Sequence, residues 1–232
     1  MLNQIKGLHH VTAMARDAAV NNQFWTGTLG LRRVKQTVNF DEPSVYHLYY
    51  GDETGSAGTV MTHFPFPHIA RGRPGTGEVG VTAFSVPKGS LGFWESRLAE
   101  HGLGDITRTE SFGQQRLGFR APEGDALALV EISDDPRQPW TGNGVGEEHA
   151  IRGFHSAALR VKDEGATKEL LGFMGYEVAE TSGGVLRLVR PGGNGADTID
   201  VETLPGVERG QLLQFDVGVG QAFLALAQEA ER

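Results

Sequence analysis

The apolar and polar positions of this chain follow a pattern that starts three times in full. Each copy predicts a strand, a helix with a bulky apolar pair, a glycine that ends the helix, and a hairpin of further strands. The opening strands are predicted at residues 8–12, 80–84 and 154–158. A fourth opening strand is predicted at residues 212–217, followed by a helix that starts at Phe223-Leu224. The repeat therefore predicts three complete modules and the start of a fourth.

The register between the copies follows from the same strands. Residues 13–15 match residues 84–86, an offset of 71, and residues 84–86 match residues 159–161, a further offset of 75. Successive side chains of a strand point to opposite faces, so a difference of one position is a change of face. By this register His155 corresponds to His9 rather than to His10, and Leu212 stands at the position of His10 in the fourth copy.

A module of one strand, one helix and three strands cannot close its own sheet, so we expect neighbouring modules to pair. The predicted fold class is α+β, built from repeated βαβββ modules. An irregular connection is predicted at residues 64–77, and a second one spans residues 134–148. We take the second as the boundary between a pair of modules at residues 1–135 and a part at residues 150–232 that holds the third module and the start of the fourth.

Composition narrows the class of protein. The 232 residues carry a net charge of -8, which argues against non-specific binding of nucleic acid. There is no cysteine, so disulfides and thiolate chemistry are excluded. The sequence has no recognisable signal peptide and no apolar run of the ~18 residues that a membrane helix needs. We therefore expect a soluble cytoplasmic protein.

Five stretches of the chain carry a specific combination of motifs: residues 7–12, 35–41, 46–50, 58–62 and 152–156. Together these stretches resemble one family, the vicinal oxygen chelate superfamily or glyoxalase fold, and within it the ring-cleaving dioxygenases that open hydroquinones. The resemblance implies iron(II) held by two histidines and one glutamate, with His10 as the first ligand. It also implies that His9 and Thr12 line the same pocket as catalytic residues, with His9 as the proton donor.

The other two ligands of that family lie in its fourth module. Here the histidine position is Leu212, and the strand of the glutamate falls beyond residue 232. Three explanations stay open: a shortened copy of a longer enzyme, a protein that recruits other ligands, or a protein that has lost the metal and kept a binding cleft. We expect His155 to be structural or part of a second site, and Glu131 and Glu202 to form salt bridges or lie at a solvated edge. The candidate replacement ligands are His47, His63, His155, Glu131 and Glu202.

The predicted function is an iron(II)-dependent dioxygenase that cleaves the ring of a hydroquinone-like aromatic with dioxygen. Loss of this activity in the shortened chain stays open. The alternatives are a metal-free binding protein of the same fold, or a glyoxalase-type isomerase or lyase with a relocated metal. An unfinished fourth module leaves sheet edges unpaired, which predicts a homo-oligomer.

Overall fold

The computed structural model describes residues 4–70, 72–210 and 223–228. Side chains are described for the first two of these ranges only. Three helical segments and thirteen strands make up this part of the chain. None of the helices in it is long and apolar enough to cross a membrane. The helices are α1 (Ala18–Asn22), which continues as a π-helical segment (Gln23–Thr28), α2 (Leu91–Glu100) and α3 (Gly165–Phe173). The strands are β1 (Ile5–Ala15), β2 (Arg32–Val38), β3 (Tyr46–Gly51), β4 (Val60–Pro65), β5 (Glu78–Pro87), β6 (Thr107–Ser111), β7 (Gln114–Arg120), β8 (Ala126–Ile132), β9 (Gly153–Val161), β10 (Glu177–Ser182), β11 (Val185–Val189), β12 (Thr198–Thr203) and β13 (Phe223–Gln228).

The strands form two sheets. The first module and β13 make a five-stranded sheet in the order β13-β1-β4-β3-β2. The second and third modules share an eight-stranded sheet, β10-β11-β12-β9-β5-β8-β7-β6, joined by the antiparallel pair β5 and β9. The predicted pairing between modules is therefore confirmed for modules two and three. The boundary predicted at residues 136–149 falls between modules two and three, which share one sheet. The division into two parts stays a prediction.

One apolar core joins the two sheets. The apolar pairs of the first two helical segments join this core, whereas in the third pair only Leu171 is buried and Leu170 is 54% exposed. Trp25 of the first module and Trp94 of the second are both fully buried in this core, together with Phe84 and Phe154. The glycines predicted to end the helices, Gly30, Gly102 and Gly175, have the left-handed φ values of 72°, 77° and 88°.

Two further glycines confirm the register between modules one and three. Gly7 and Gly153 have φ of 143° and 141°, a backbone conformation that other residues rarely adopt. They lie 146 positions apart, which is the separation that the two predicted offsets give together. A Cβ on Gly7 would lie 2.2 Å from Oδ1 of Asn194, so the close approach of the first and third modules also requires glycine.

Two predictions on local structure are wrong. The helix predicted from Phe223-Leu224 is instead strand β13, antiparallel to β1. A short apolar run does not distinguish helix from strand by periodicity, and here pairing with β1 decides. The connection predicted from residue 64 starts later, because Phe64 and Pro65 still pair with β1 as the end of β4. The strand predicted at residues 212–217 lies outside the described residues.

Candidate active site on the five-stranded sheet

His9 and His10 lie together on β1. The side chains of Val11 and Ala13 belong to the core, so by alternation His10 and Thr12 point to the opposite face. An irregularity in the pairing with β13 between Leu8 and His10 brings the two imidazoles together, with Nδ1 atoms 3.0 Å apart. One ring donates an N–H and the other accepts. This contact occupies Nδ1 of His10, so Nε2 is the nitrogen that can bind a metal.

Thr12 takes part in the sheet rather than in an open pocket. Its hydroxyl lies 2.8 Å from the hydroxyl of Thr62 on the neighbouring strand β4, and both side chains are buried. The two strands run parallel with Thr12 directly opposite Thr62. The hydrogen bond therefore fixes the strand next to His10. A catalytic role for Thr12 stays a prediction.

Three rings on β3 and β4 form what we call the aromatic wall: His47, Tyr49 and Phe64. The ring centroid of His47 lies 4.0 Å from that of Phe64 and 4.1 Å from that of Tyr49. The hydroxyl of Tyr49 lies 2.7 Å from Nδ1 of His47. Tyr49 and Phe64 were not predicted as site residues. The alternation of Thr62 and Phe64 along β4 is the signal that places Phe64 on this face.

Burial keeps His10 and His47 on this face neutral. The pKa of His10 is lowered by burial and then by the neighbouring His9. The pKa of His47 is lowered to about 4 by burial, with further contributions from His10 and Lys35. Both rings are therefore uncharged at pH 7, the form in which imidazole binds a metal. Nε2 of His47 is buried without a hydrogen-bond partner among the described residues.

The remaining predicted ligands lie elsewhere. His63 points into the core, 5.1 Å from the ring of Trp25. His155 lies on the eight-stranded sheet, with Nδ1 3.1 Å from the hydroxyl of Ser156. Glu202 forms the predicted salt bridge, 3.1 Å from Arg160.

Among the described residues Glu131 forms no salt bridge, one of its two predicted roles, and it binds the start of a helix instead. Its Oε1 accepts hydrogen bonds from the backbone N–H groups of Gly89 and Leu91, at 2.9 and 3.1 Å. Leu91 is the first residue of α2, whose first N–H groups have no partner within the helix. The carboxylate also lies favourably at the positive end of the helix dipole. Glu131 is therefore part of the start of α2.

A complete metal site does not form within residues 4–70 and 72–210, where no group of three or more histidine, aspartate or glutamate side chains could hold an ion. His10 and His47 place two neutral imidazoles on one face, and the proximity of His10 contributes to the lowered pKa of His47. A two-histidine, one-carboxylate iron site needs one more donor. Leu212, at the position of the family's second histidine, lies outside the described residues.

Comparison with known proteins adds the family context. The model of the Glyoxalase/Bleomycin resistance protein/Dioxygenase superfamily matches residues 7–183. MhqO of Bacillus subtilis (strain 168), provisionally named a ring-cleaving dioxygenase, is 40% identical over 91% of this chain and 67% of its own length. A chlorohydroquinone/hydroquinone 1,2-dioxygenase of Sphingobium indicum is 35% identical over 66% of this chain and 49% of its own length.

Solved structures agree on the fold. A crystal structure of a provisionally assigned dioxygenase from Bacillus subtilis has a TM-score of 0.86 at 40% identity, and the match covers 90% of this chain and 67% of the other. Glyoxalase I from Zea mays has a TM-score of 0.66 at 14% identity, over 90% of this chain and 72% of the other, which shows the fold alone. The chain spans about two thirds of the length of MhqO.

Proposed function

Because the chain belongs to the Glyoxalase/Bleomycin resistance protein/Dioxygenase superfamily, we propose that it serves in the oxidative ring cleavage of a hydroquinone-like aromatic by iron(II) and dioxygen. The observation that carries the proposal is the His9–His10 pair beside the aromatic wall on one sheet face. The relatives named as ring-cleaving and hydroquinone dioxygenases support the same reaction class. Dioxygen is a triplet and reacts slowly with a singlet aromatic, which is why the proposal includes a redox metal.

In this proposal each residue has a distinct task. His10 binds the metal through Nε2, while its contact with His9 sets the orientation of the ring. His9 is exposed and adjacent, so it can exchange a proton with a substrate hydroxyl and with solvent. The aromatic wall offers ring faces against which a flat substrate stacks. Among the described side chains, no third donor for a metal stands beside His10 and His47.

The test is oxygen consumption with hydroquinone by the iron-loaded 232-residue chain. We expect His10→Ala to abolish oxygen uptake, because a neutral imidazole ligand is lost. His68→Ala is the matched control, because His68 is an exposed loop histidine and should keep full activity. Uptake that survives His10→Ala, or a native chain without uptake, would count against the proposal.

A metal-free binding protein is the second candidate function. It is favoured by the missing third donor among the described side chains. The aromatic wall alone then suffices to bind a hydroquinone. Tryptophan fluorescence measured with a chelator present distinguishes the two functions, because only the metal-free binder keeps its full affinity for hydroquinone without iron.

The proposal also includes a homo-oligomer that acts in the cytoplasm. Every residue of the edge strand β10 is exposed, and Val178 on it is 48% exposed. Proteins usually cover such an edge. Light scattering coupled to gel filtration should give a mass of at least twice 25.0 kDa, and a monodisperse monomer would contradict this part of the proposal.

A further inference from the structure

The eight-stranded sheet carries a buried ion pair on the face that points away from the core. Arg187 on β11 donates from Nε and Nη2 to the two carboxylate oxygens of Asp200 on β12, at 2.7 and 2.8 Å. Both side chains are buried, at 6% and 2% exposure. Neighbouring Leu186 and Leu188 belong to the core, so alternation places Arg187 on the opposite face. We call this concave face the inner groove.

Strong curvature of the sheet turns this face into a groove. In the strand order, four strands separate β11 from β7, which in a flat sheet corresponds to about 24 Å. Yet Nη1 of Arg187 donates to Oε1 of Gln114 on β7 at 3.0 Å. Phe112, in the β6–β7 turn, places its ring centroid 3.8 Å from the guanidinium carbon of Arg187. The two sides of the sheet therefore meet at one end of the groove.

The turn that closes this end is strained. Phe112 has φ of 53°, a left-handed conformation that is unusual for a bulky residue. Its ring covers Arg187, and the adjacent Gln114 binds the same guanidinium. Strained residues persist where the surrounding structure over-determines them, often beside functional sites.

The floor of the groove is made of small side chains. The strands between the two walls direct Ala83, Ala128 and Val130 to this face, where they form a second, smaller apolar cluster. Gly118 lies open, because a Cβ there would have one neighbour within 4 Å, at 3.8 Å. A cavity of about 390 Å³ lies at the Ala126 end of this sheet, where Arg120 and Arg160 line it together with Glu78 and Glu123. The partly exposed floor residues are Val81, Gly118, Ala126 and Ala158.

Arg116 supplies an uncompensated positive charge in the groove. It lies on β7 two positions from Gln114, on the same face, and its charge interacts with those of Asp200 and Arg187. The carboxylate of Asp200 already accepts two hydrogen bonds from Arg187, so Arg116 has no ion-pair partner of its own among the described residues. Within the part of the chain that the structure describes, the half-buried guanidinium of Arg116 makes no hydrogen bond. A half-buried cation of this kind is poorly hydrated and favours an anionic partner.

We propose that the inner groove is a second ligand site, separate from the His10 face, which binds a small organic carboxylate with its carboxylate on Arg116 and its apolar body on the small-residue floor. Guanidinium matches a carboxylate in planar, bidentate geometry. The Arg187–Asp200 pair holds the opposite wall. Because the pair is neutral overall, it competes with Arg116 for an anion less than a bare arginine would. His155, adjacent to Ser156 on β9, adds no charge, because burial lowers its pKa to about 3.

The test uses benzoate as the probe and isothermal titration calorimetry on the iron-free 232-residue chain. We expect benzoate to bind, and benzyl alcohol, which has the same ring without the charge, not to bind. Arg116→Gln should raise the Kd for benzoate at least 10-fold. Gly118→Leu should do the same by filling the floor, since Gly118 has room for a side chain. Arg108→Gln is the matched control, because Arg108 pairs with Glu95 at an exposed site.

Several outcomes would overturn the proposal. A native chain that does not bind benzoate, or equal loss of affinity in Arg116→Gln and Arg108→Gln, would show that no specific carboxylate site exists. Competition by equimolar inorganic phosphate would show a site for any anion instead. Loss of benzoate binding in His10→Ala would place the ligand on the other sheet. Unchanged benzoate binding in His10→Ala, together with loss of oxygen uptake, would separate this site from the proposed dioxygenase function.

Discussion

The two sheets use the same module positions for different chemistry. His9 and His10 are in contact through Nδ1 atoms 3.0 Å apart, and the corresponding His155 and Ser156 are in contact at 3.1 Å. Opposite Thr12, β4 carries Thr62, whereas the equivalent place on β12 carries Asp200. The backbone frame is therefore shared, and the side chains alone make one face rich in neutral rings and the other rich in paired charges.

Burial acts on both faces but with different results. On the five-stranded sheet it removes charge, because His10 and His47 have lowered pKa values. On the eight-stranded sheet charge is retained, because Arg187 and Asp200 satisfy each other by two hydrogen bonds. Neutral imidazoles suit a metal or an aromatic, whereas a cationic groove suits an anion. Each prediction below changes one side of this comparison.

The largest effect should come from breaking the buried ion pair. Arg187→Ala leaves the carboxylate of Asp200 buried without its partner, and we expect a loss of about 3–5 kcal/mol in the free energy of unfolding. Arg108→Ala removes an exposed ion pair and should cost less than about 1 kcal/mol. Urea denaturation of both variants checks this, and equal losses would show that the pair is not a buried structural element.

Each sheet also holds one deeply buried histidine, which predicts acid sensitivity. Burial lowers the pKa of His63 and of His155 to about 3, against about 6.5 in the unfolded chain. The unfolded state therefore takes up protons first, so stability is full above pH 6.5 and falls as the pH drops towards 3. From pH 7 to pH 5 the expected loss is roughly 2 kcal/mol for each histidine.

Substitution separates the two contributions. His63→Phe and His155→Gln should each remove one share of this pH dependence, as measured by urea denaturation at pH 7, 6 and 5. If both variants keep the slope of the native protein, the two histidines are not the groups that sense acid.

Asp125 should show the opposite sign. Its pKa is raised to about 6 by burial and by Glu123 and Glu78, so the ionised carboxylate is disfavoured in the fold at pH 7. Asp125→Asn should therefore stabilise the protein at pH 7, by about 1–2 kcal/mol for a side chain that is only partly enclosed. The gain should shrink as the pH falls towards 4. Thermal unfolding at pH 7.5 and pH 4.5 measures it, and a destabilised variant at pH 7.5 would contradict the assignment.

The smallest effects concern the two glutamates that were candidate ligands. Glu131→Gln should cost about 1 kcal/mol, because it weakens the start of α2. Glu202→Gln should cost less, since its ion pair with Arg160 is partly exposed. Neither should change the iron content of the loaded chain, as measured by metal analysis. Loss of iron in either variant would indicate that the metal binds on the eight-stranded sheet instead.

Much of the fold could be predicted from the sequence, because strand alternation and turn glycines are local signals. The offsets that relate His9 to His155 are confirmed by Gly7 and Gly153. The helix predicted at Phe223 was wrong because pairing with β1, a contact between distant parts of the chain, decides the structure of that run.

Less of the two faces could be predicted. The contact between His47 and Phe64 depends on the register of two adjacent strands, and no residue pattern predicts that register. The contact between Arg187 and Gln114 depends on the curvature of the whole sheet, which joins residues on strands that are not neighbours. Side chains that meet through curvature are invisible to a linear pattern.

The most direct test of the central claim, that the metal belongs to the five-stranded sheet, is an anaerobic iron(II) titration of three proteins. We predict about one iron per chain for the native protein and for His155→Ala, and none for His10→Ala. A native chain that binds no iron, or a His10→Ala variant that still binds it, would contradict the account.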